Sequence, residues 1–174
     1  MEQTGLAGLC PRRYPRREDA AFPCVLKRPD QNGAYGVELV ASDGQLDAML
    51  RSDVFVGQRY LLQAFVPGDV EYAFHAVCCD GVILWSLALS RDMGPDAPID
   101  GLDHDTVQQV TPSPLVLSQI STVLVRLRYS GPCCVDYKVL PSGDIAIFEI
   151  NPRCGGSLMI ASNRTALQQA LICV

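Results

Sequence analysis

The sequence VDYKVLPSGDIAIFEINPRCGGS, which runs from Val135 to Ser157, is the part of the 174-residue chain that says most about the fold. Two mostly apolar segments flank a Pro-Ser-Gly turn at residues 141–143. A turn of this kind between two apolar segments is typical of a β-hairpin. We therefore expect strands over Pro132–Leu140 and Asp144–Ile150 that pair with each other.

Three polar side chains interrupt the apolar pattern of this hairpin. Asp136 and Glu149 lie on its two arms, 13 residues apart around the turn, and residues so placed can be neighbours on a two-stranded ladder. Glu149 and Asn151 are two residues apart, so they share a face of their strand. Three converging oxygen ligands suit a hard cation such as Mg²⁺. From the pattern alone two interpretations stay open: a metal site, or the exposed polar face of an amphipathic hairpin.

Composition is that of an ordinary globular protein. Hydrophobic residues make up 48% and charged residues 19% of the sequence, and the length suits one domain with a core rather than two. The net charge of −5 gives no electrostatic reason to expect nucleic acid as a partner. Four arginines between Arg12 and Arg17 are a local exception. Because they stand among prolines, we interpret residues 1–21 as a solvated tail rather than a binding patch.

The eight cysteines occur without any Cys-x-x-Cys spacing. The adjacent pairs Cys78-Cys79 and Cys133-Cys134 lie in apolar segments, and neighbours on a strand point to opposite faces, so neither pair suits a single metal ion. We expect buried, reduced thiols, with disulfides or zinc as the alternatives. Residues 1–20 lack the apolar segment of a signal peptide, and no uncharged stretch approaches the roughly 20 residues that span a bilayer. The expectation is a cytoplasmic protein that does not enter a membrane.

The rest of the chain consists mainly of strand-like segments. The expected strands are Phe22–Lys27, Val37–Ala41, Arg59–Val66, Val70–Cys79 and Val82–Leu89. An Asp80-Gly81 turn, a strong hairpin signal, joins the last two. His75 alternates with apolar neighbours in its strand, which favours a packed histidine over a catalytic base.

Helices and one long loop complete the pattern. Ser42 and Ser113-Pro114 are residue types that begin helices, which predicts one helix through Leu50 and another over Leu115–Leu127. A further helix is expected after Ser157. Residues 91–112 contain five aspartates and are interpreted as a mobile surface loop. The order indicates an antiparallel α+β fold whose helices cover its sheets.

Lys27 ends the first of these strands and precedes a polar turn that contains Gly33 and Gly36. Glycine lets a ligand approach the backbone closely, and a lysine at a strand end can place a charge on a phosphate. The turn lacks the GxxxxGK[ST] order of a Walker A motif. Taken alone, the pattern favours a surface lysine over a phosphate contact.

In their order along the chain, these segments resemble the ATP-grasp superfamily. The resemblance runs from about Phe22 to Ser157. It is carried by the lysine strand, the glycine turn, VELV at residues 37–40, LLQAFVPG at residues 61–68, a following glutamate and, above all, the Asp…Glu-x-Asn-Pro-Arg of the last hairpin. It implies an α+β fold whose antiparallel sheets and covering helices sandwich Mg-ATP. The catalytic core would span residues 22–174.

The resemblance also implies roles for individual residues in nucleotide binding. Lys27 and the turn at residues 32–36, including Gly33 and Gly36, would contact the ATP phosphates. Gln63, Phe65 and Val66 would hold the adenine, and Glu71 or Asp69 would take the ribose hydroxyls.

A second group of residues would bind metal and carry the chemistry. Asp136, Glu149 and Asn151 would be the ligands of Mg²⁺ or Mn²⁺. Arg153 would face the γ-phosphate and act with Lys27 as a catalytic residue. Arg91 could be a further phosphate contact.

These roles together imply an ATP-dependent ligase that activates a carboxylate as an acyl phosphate, which an amine then attacks. Two other functions stay open: a non-catalytic or regulatory nucleotide-binding module, and a phosphotransferase acting on another acceptor. The expected partners are a small-molecule carboxylate and amine, neither of which the sequence names. Family members carry an amino-terminal α/β domain that shapes the acceptor site, and only about twenty residues precede the lysine strand here. We therefore expect a fragment of a longer enzyme, a second chain that supplies this domain, or a homodimer.

Three features depart from the family pattern. The segment Lys27-Arg28-Pro29 has an arginine where proline more often follows the lysine directly, and the turn has only two glycines. Glu71 stands one residue later after Gly68 than expected, which is why Asp69 is an alternative ribose contact. These departures weaken the implied nucleotide contacts more than the implied metal site.

Overall fold

The computed structural model describes residues 6–31, 35–94 and 107–174. Within these ranges the chain forms nine β-strands and three α-helices, and the strands make two antiparallel sheets. The chain divides into two compact units. The larger unit contains the described residues of Met1–Cys10, Val70–Asp92 and His104–Val174, and the smaller unit contains those of Pro11–Asp69 and Met93–Asp103. The core predicted over residues 22–174 draws on both units, and its boundaries stay a prediction.

The smaller unit is built on a four-stranded sheet in the order β1-β4-β2-β3. The strands are β1 (Arg13–Tyr14), β2 (Cys24–Lys27), β3 (Val37–Val40) and β4 (Leu61–Ala64). Helix α1 (Asp43–Leu50) begins at Ser42, whose hydroxyl accepts a hydrogen bond from the backbone N–H of Gln45. Leu46 of this helix is fully buried against Cys24 and Leu26 of β2. Alternation along β2 therefore leaves Val25 and Lys27 on the sheet face away from this core.

The larger unit is built on a five-stranded sheet in the order β7-β6-β5-β8-β9. Its strands are β5 (Val70–Cys79), β6 (Val82–Asp92), β7 (Val107–Val110), β8 (Gly131–Val139) and β9 (Ile145–Asn151). Helix α2 (Pro114–Arg126) begins at Ser113, whose side chain accepts from the N–H of Val116, and has proline in its first turn. Its buried residues lie at helical spacing and form one core with residues of the sheet: Val116, Ile120, Val123 and Leu124 from the helix and Phe74, Val135, Ile145 and Ile147 from the strands.

The opposite face of the five-stranded sheet carries the second core of this unit. Leu158, in a short 3-10 helix, and Ala170, in helix α3 (Arg164–Ile172), pack against Val77, Leu87 and Leu89. These contacts cover only part of the face, and the polar residues of the β8–β9 hairpin lie beyond them on the same side of the sheet.

The predicted strands and helices are confirmed with small shifts at their ends. The strand expected over Arg59–Val66 is shorter, Leu61–Ala64, and the one expected to end at Leu89 continues to Asp92. The prediction of a loop over residues 91–112 is wrong at its ends, because residues 107–110 form β7; residues 95–106 lie outside the described residues. Strand β7 pairs only with β6, at the edge of the sheet, where the two glutamines of VQQV need no apolar surroundings.

The prediction of a solvated amino-terminal tail is wrong for the described residues from 6 onward. Tyr14 is buried in the core of the smaller unit, and β1 pairs with β4. Arg17 is held by ion pairs with Asp43 and Asp47 of α1. The sequence did not predict this strand, because β1 has only two residues and only one of them, Tyr14, faces the core.

The thiol prediction is confirmed in part. No disulfide joins any of the eight cysteines, and Cys24, Cys78, Cys133 and Cys134 are buried, but Cys79 is exposed and the other three are half-buried. His75 is buried, as the packed-histidine interpretation predicted. No helix among the described residues is long and apolar enough to cross a membrane.

The turn between β5 and β6 gives a direct test of this packing. Gly81 has φ +85°, and a Cβ there would lie 2.8 Å from the carbonyl oxygen of Leu124 and 2.9 Å from the nitrogen of Val125 in α2. Gly57 has a similar φ of +70° but no atom within 4 Å of such a Cβ. We expect Gly81→Ala to lower the free energy of unfolding by about 3 kcal/mol or more, against about 1 kcal/mol for Gly57→Ala, in urea denaturation. Equal losses would show that α2 does not press on this turn.

Candidate active site

The β8–β9 hairpin brings two carboxylates together. Asp136 and Glu149 are direct partners in the antiparallel ladder, immediately before a bulge in the pairing of β8. The side-chain amide of Asn151 donates to both: its Nδ2 lies 3.0 Å from Asp136 Oδ2 and 2.7 Å from Glu149 Oε1. The three residues that the sequence singled out as metal ligands therefore meet at one point on the sheet.

The electrostatics of this point favour a cation. Burial raises the pKa of Asp136, and the negative charge of Glu149 raises it further, to about 6. A group of three or more His, Cys, Asp or Glu side chains placed to hold a metal does not occur in the described ranges, so the candidate set is two carboxylates and one amide. These oxygen donors fit Mg²⁺, provided that the amide of Asn151 turns its oxygen toward the ion.

Asp136 also accepts a hydrogen bond from the thiol of Cys134. The thiol Sγ lies 3.3 Å from Asp136 Oδ1, so both carboxylate oxygens accept a hydrogen bond. Burial raises the pKa of Cys134, which keeps the thiol protonated and able to donate. The orientation of Asp136 is therefore fixed by the strands themselves.

A row of charged residues crosses the neighbouring strands on the same sheet face. Ala73 of β5 pairs with Asp136, so Glu71, two residues before it, lies on that face. Glu71 pairs with Arg91 of β6, and Lys138 Nζ lies 3.8 Å from Glu71 Oε1. Burial raises the pKa of Glu71, while the positive charges of Lys138 and Arg91 lower it. Positive and negative groups thus alternate across β6, β5 and β8, in the order Arg91, Glu71 and Lys138.

Sequence reasoning missed Lys138. Its residue is 1% exposed, and a lysine is almost never buried so deeply without an anionic partner. A signal was available, because Lys138 stands two residues after Asp136 in an otherwise apolar strand and so had to share its face. Without the pairing of β5 and β8, however, the sequence could not reveal Glu71 as its partner.

The segment after β9 is fixed by close packing. A Cβ on Gly155 would lie 2.7 Å from both Cys134 Sγ and His75 Cε1, so only glycine fits between them. His75 Nε2 lies 3.0 Å from Ser157 Oγ. Arg153, between this anchor and the strand, is exposed and donates from Nη1 to the carbonyl oxygen of Cys154 at 3.0 Å. The exposed guanidinium of Arg153 therefore follows Glu149 by four residues, on a short segment that the packing of Gly155 holds in place.

In the smaller unit, two of the predicted nucleotide contacts share one face of the sheet. Lys27 pairs with Leu61, and Val25 pairs with Gln63, so Lys27 and Gln63 both lie on the face away from α1. Gln63 is 9% exposed. This face is therefore not covered by the helix of its own unit.

Three other predicted nucleotide contacts, Phe65, Val66 and Asp69, follow β4 in the chain. Val66 is buried, Phe65 is half-buried and Asp69 is exposed. Gly36 has φ +71°, a conformation that favours glycine. Gly33 and Asn32 lie outside the described residues.

Comparison with known proteins was informative at the level of structure only. The sequence matches no protein-family model and no curated protein. The D-alanine–D-alanine ligase of Helicobacter pylori aligns over 99% of this chain and 58% of its own, with a TM-score of 0.65 and 17% identity. The L-amino acid ligase of Bacillus licheniformis aligns over 98% and 45%, with a TM-score of 0.61 and 18% identity. Carboxyaminoimidazole ribonucleotide synthase of Aspergillus clavatus, solved with ATP, aligns over 90% and 43%, with a TM-score of 0.61 and 15% identity.

The chain has the ATP-grasp fold. At these identities the likeness is one of fold alone. The chain spans between 43% and 58% of the length of the three structures. The predicted ATP-grasp fold and its α+β class are therefore confirmed.

Within this ATP-grasp fold, the buried histidine predicts a pH effect. Burial lowers the pKa of His75 to about 4, whereas an unfolded chain protonates histidine near its ordinary value. The unfolded state therefore binds the proton first, and stability is lost as the pH falls from about 6.5 to about 4, by up to about 3 kcal/mol. We expect the free energy of unfolding of His75→Gln to fall less over this window in urea denaturation at several pH values. Parallel losses in the two proteins would contradict a neutral, buried His75.

Proposed function

We propose that this chain is the ATP-binding catalytic part of a ligase that activates a carboxylate with ATP and joins it to an amine. The observation that carries the proposal is the carboxylate pair Asp136–Glu149, bridged by Asn151 on an ATP-grasp fold. Two of the similar structures are ligases, a D-alanine–D-alanine ligase and an L-amino acid ligase, and a third was solved with ATP. ATP and Mg²⁺ or Mn²⁺ are the proposed cofactors.

In this proposal the β8–β9 hairpin would hold the metal, and Arg153, which follows it, would meet the phosphates. Asp136, Glu149 and Asn151 hold Mg²⁺, which when bound neutralises phosphate charge that these carboxylates would otherwise repel. Arg153 offers a planar guanidinium that can bind two phosphoryl oxygens at once. The alternation of Arg91, Glu71 and Lys138 on the neighbouring strands keeps positive charge on the same sheet face.

The remaining nucleotide contacts in this proposal are those that the family resemblance implies. Lys27 and the turn that ends at Gly36 bind the phosphates. Gln63, Phe65 and Val66 hold the adenine. Glu71 of the larger unit, or alternatively Asp69, takes the ribose hydroxyls; Glu71 already has Lys138 beside its carboxylate, whereas Asp69 is exposed.

The proposed reaction has two steps. A substrate carboxylate oxygen attacks the γ-phosphorus of ATP, so an acyl phosphate forms and ADP leaves. The nitrogen of an amine then attacks the acyl carbon, loses a proton, and expels inorganic phosphate. Positioning and charge stabilisation carry most of the rate in such transfers, which suits a site made of fixed charges on paired strands.

The residues named above bind ATP and metal in this proposal, and none of them is assigned to selecting the carboxylate or the amine. Eight cysteines without a disulfide suit a reducing compartment, and we propose the cytoplasm.

The proposal is tested by following ADP release from Mg-ATP with pools of carboxylates and amines. We expect release that requires a carboxylate and rises when an amine is added. Binding of ATP without release under any pool would favour a regulatory nucleotide-binding module. Release that depends on an acceptor without a carboxylate would favour a phosphotransferase instead.

Glu149→Gln tests the metal site itself. The substitution keeps the size of the side chain but removes one of two negative charges, and we expect activity to fall at least about 100-fold because a metal ligand is lost. Mg-ATP should also raise the melting temperature of the wild type and not of the variant. Glu18→Gln, at an exposed glutamate of the smaller unit, is the matched control and should behave as the wild type. Full activity of Glu149→Gln would eliminate Glu149 as a metal ligand.

A further inference from the structure

A row of three side chains crosses the sheet next to the carboxylate pair. His75 of β5 pairs with Cys134 of β8, and Cys134 pairs with Asn151 of β9. His75 is 1% exposed and Cys134 is 2% exposed. Asp136 stands two residues after Cys134 in the same strand, so the two side chains share one face of the sheet. The row therefore lies directly beside one of the two carboxylates.

The thiol of Cys134 is confined by the backbone that follows β9. A Cβ on Gly155 would lie 2.7 Å from Cys134 Sγ, 2.7 Å from His75 Cε1 and 3.1 Å from Cys134 Cβ. The backbone of Gly155 therefore closes the space in which the thiol and the imidazole ring meet. Within this space Cys134 Sγ lies 3.3 Å from Asp136 Oδ1, to which the thiol donates.

The imidazole ring beside the thiol is itself held by Ser157. His75 Nε2 lies 3.0 Å from Ser157 Oγ, and the carbonyl oxygen of Ser157 accepts from Asn163 Nδ2 at 2.8 Å. The other ring nitrogen, His75 Nδ1, is buried and has no hydrogen-bond partner in the part of the chain that the structure describes. The bond to Ser157 therefore sets the orientation of the ring, and with it one wall of the space around the thiol.

The two oxygens of Asp136 consequently face different groups. Oδ1 accepts from the Cys134 thiol, whereas Oδ2 accepts from Asn151 Nδ2 at 3.0 Å. The same amide nitrogen lies 2.7 Å from Glu149 Oε1. Of the two oxygens, Oδ2 is thus the one that shares a partner with Glu149. The thiol bond opposes a rotation of the carboxylate that would take Oδ2 away from Glu149.

We propose that Cys134 is a positioning residue, whose thiol holds Asp136 so that Oδ2 faces Glu149 and the two carboxylates bind a divalent cation together. This inference rests on the proposed function, in which Asp136, Glu149 and Asn151 hold Mg²⁺. A group that hydrogen-bonds to a metal ligand orients that ligand, and its loss typically lowers metal affinity by about 10- to 100-fold.

A direct role is the alternative, in which the sulfur of Cys134 itself binds the cation. The described ranges contain no group of three His, Cys, Asp or Glu side chains placed to hold a metal, so Cys134 does not join Asp136 and Glu149 as a third ligand. The two accounts differ for Cys134→Ser. A serine hydroxyl donates a hydrogen bond as the thiol does, but it is a poor replacement for a thiolate ligand.

Cys134→Ala and Cys134→Ser test this inference in the full 174-residue chain. The probe is Mn²⁺ alone, titrated without nucleotide, with the unbound ion measured by electron paramagnetic resonance. We expect the dissociation constant of Mn²⁺ to rise about tenfold in Cys134→Ala and less than about threefold in Cys134→Ser. Cys133→Ala is the matched control, because it removes a neighbouring buried thiol that packs in the core of α2 instead, and it should bind Mn²⁺ as the wild type does.

Each outcome bears on the role of Cys134. Wild-type affinity in Cys134→Ala would overturn it, and so would a loss in Cys134→Ser as large as in Cys134→Ala, which would make the sulfur a ligand. An equal loss in Cys133→Ala would overturn it too, because the effect would then be one of general stability. Should Cys134→Ala not fold by circular dichroism, Cys134→Val takes its place, since valine also lacks the donor and leaves no cavity.

Glu149→Gln separates this inference from the proposed function. Loss of Mn²⁺ binding in Glu149→Gln together with wild-type affinity in Cys134→Ala would overturn the positioning role and leave the proposed metal site intact. A wild type that binds no Mn²⁺, or a Glu149→Gln variant that binds it equally well, would overturn the metal site of the proposed function, and the role of Cys134 with it.

Discussion

Two carboxylates stand opposite each other on adjacent strands, and one amide hydrogen-bonds to both. The Asn151 bridge between Asp136 and Glu149 offsets only part of their mutual repulsion, and burial raises the pKa of Asp136 further. A sheet has no structural reason to keep such a pair, since apolar partners would stabilise it more. The supports around the pair, the Cys134 thiol behind Asp136 and the tight packing of Gly155, hold it in one geometry. The structure thus keeps a costly arrangement rigid, which is characteristic of a site.

Charge alternation extends this arrangement across the sheet. Arg91, Glu71 and Lys138 lie on strands next to the pair, and each acidic group has a basic neighbour or an amide beside it. Apolar packing by Ala170 of α3 lies against Val77, Leu87 and Leu89 on this face, and Lys138 and Arg91 are buried there as well. In the smaller unit polar side chains also share one sheet face, because Lys27 and Gln63 lie on the face opposite to α1.

Much of the fold could be predicted from the local pattern of apolar and polar residues. The rest depended on pairing between strands, which a local pattern does not show. The last hairpin was predictable because a Pro-Ser-Gly turn joins two apolar segments, which brings Asp136 and Glu149 close together. Their direct pairing depends on the register shift between Asp136 and Tyr137, which the local pattern did not predict. Strand β7 was missed because an edge strand tolerates glutamines, which hide its apolar pattern. Strand β1 was missed because two residues are too few to show an alternation of apolar and polar side chains. The buried ion pair of Lys138 was missed because its partner, Glu71, is distant in sequence.

The central claim is that Asp136, Glu149 and Asn151 bind a divalent cation together with ATP. Anomalous diffraction from crystals grown with Mn²⁺ and a non-hydrolysable ATP analogue tests it most directly. The account predicts an anomalous peak within bonding distance of oxygen atoms from these three side chains, with phosphate oxygens completing the coordination. Nucleotide bound without a peak at this hairpin, or with a peak held by other residues, would contradict it.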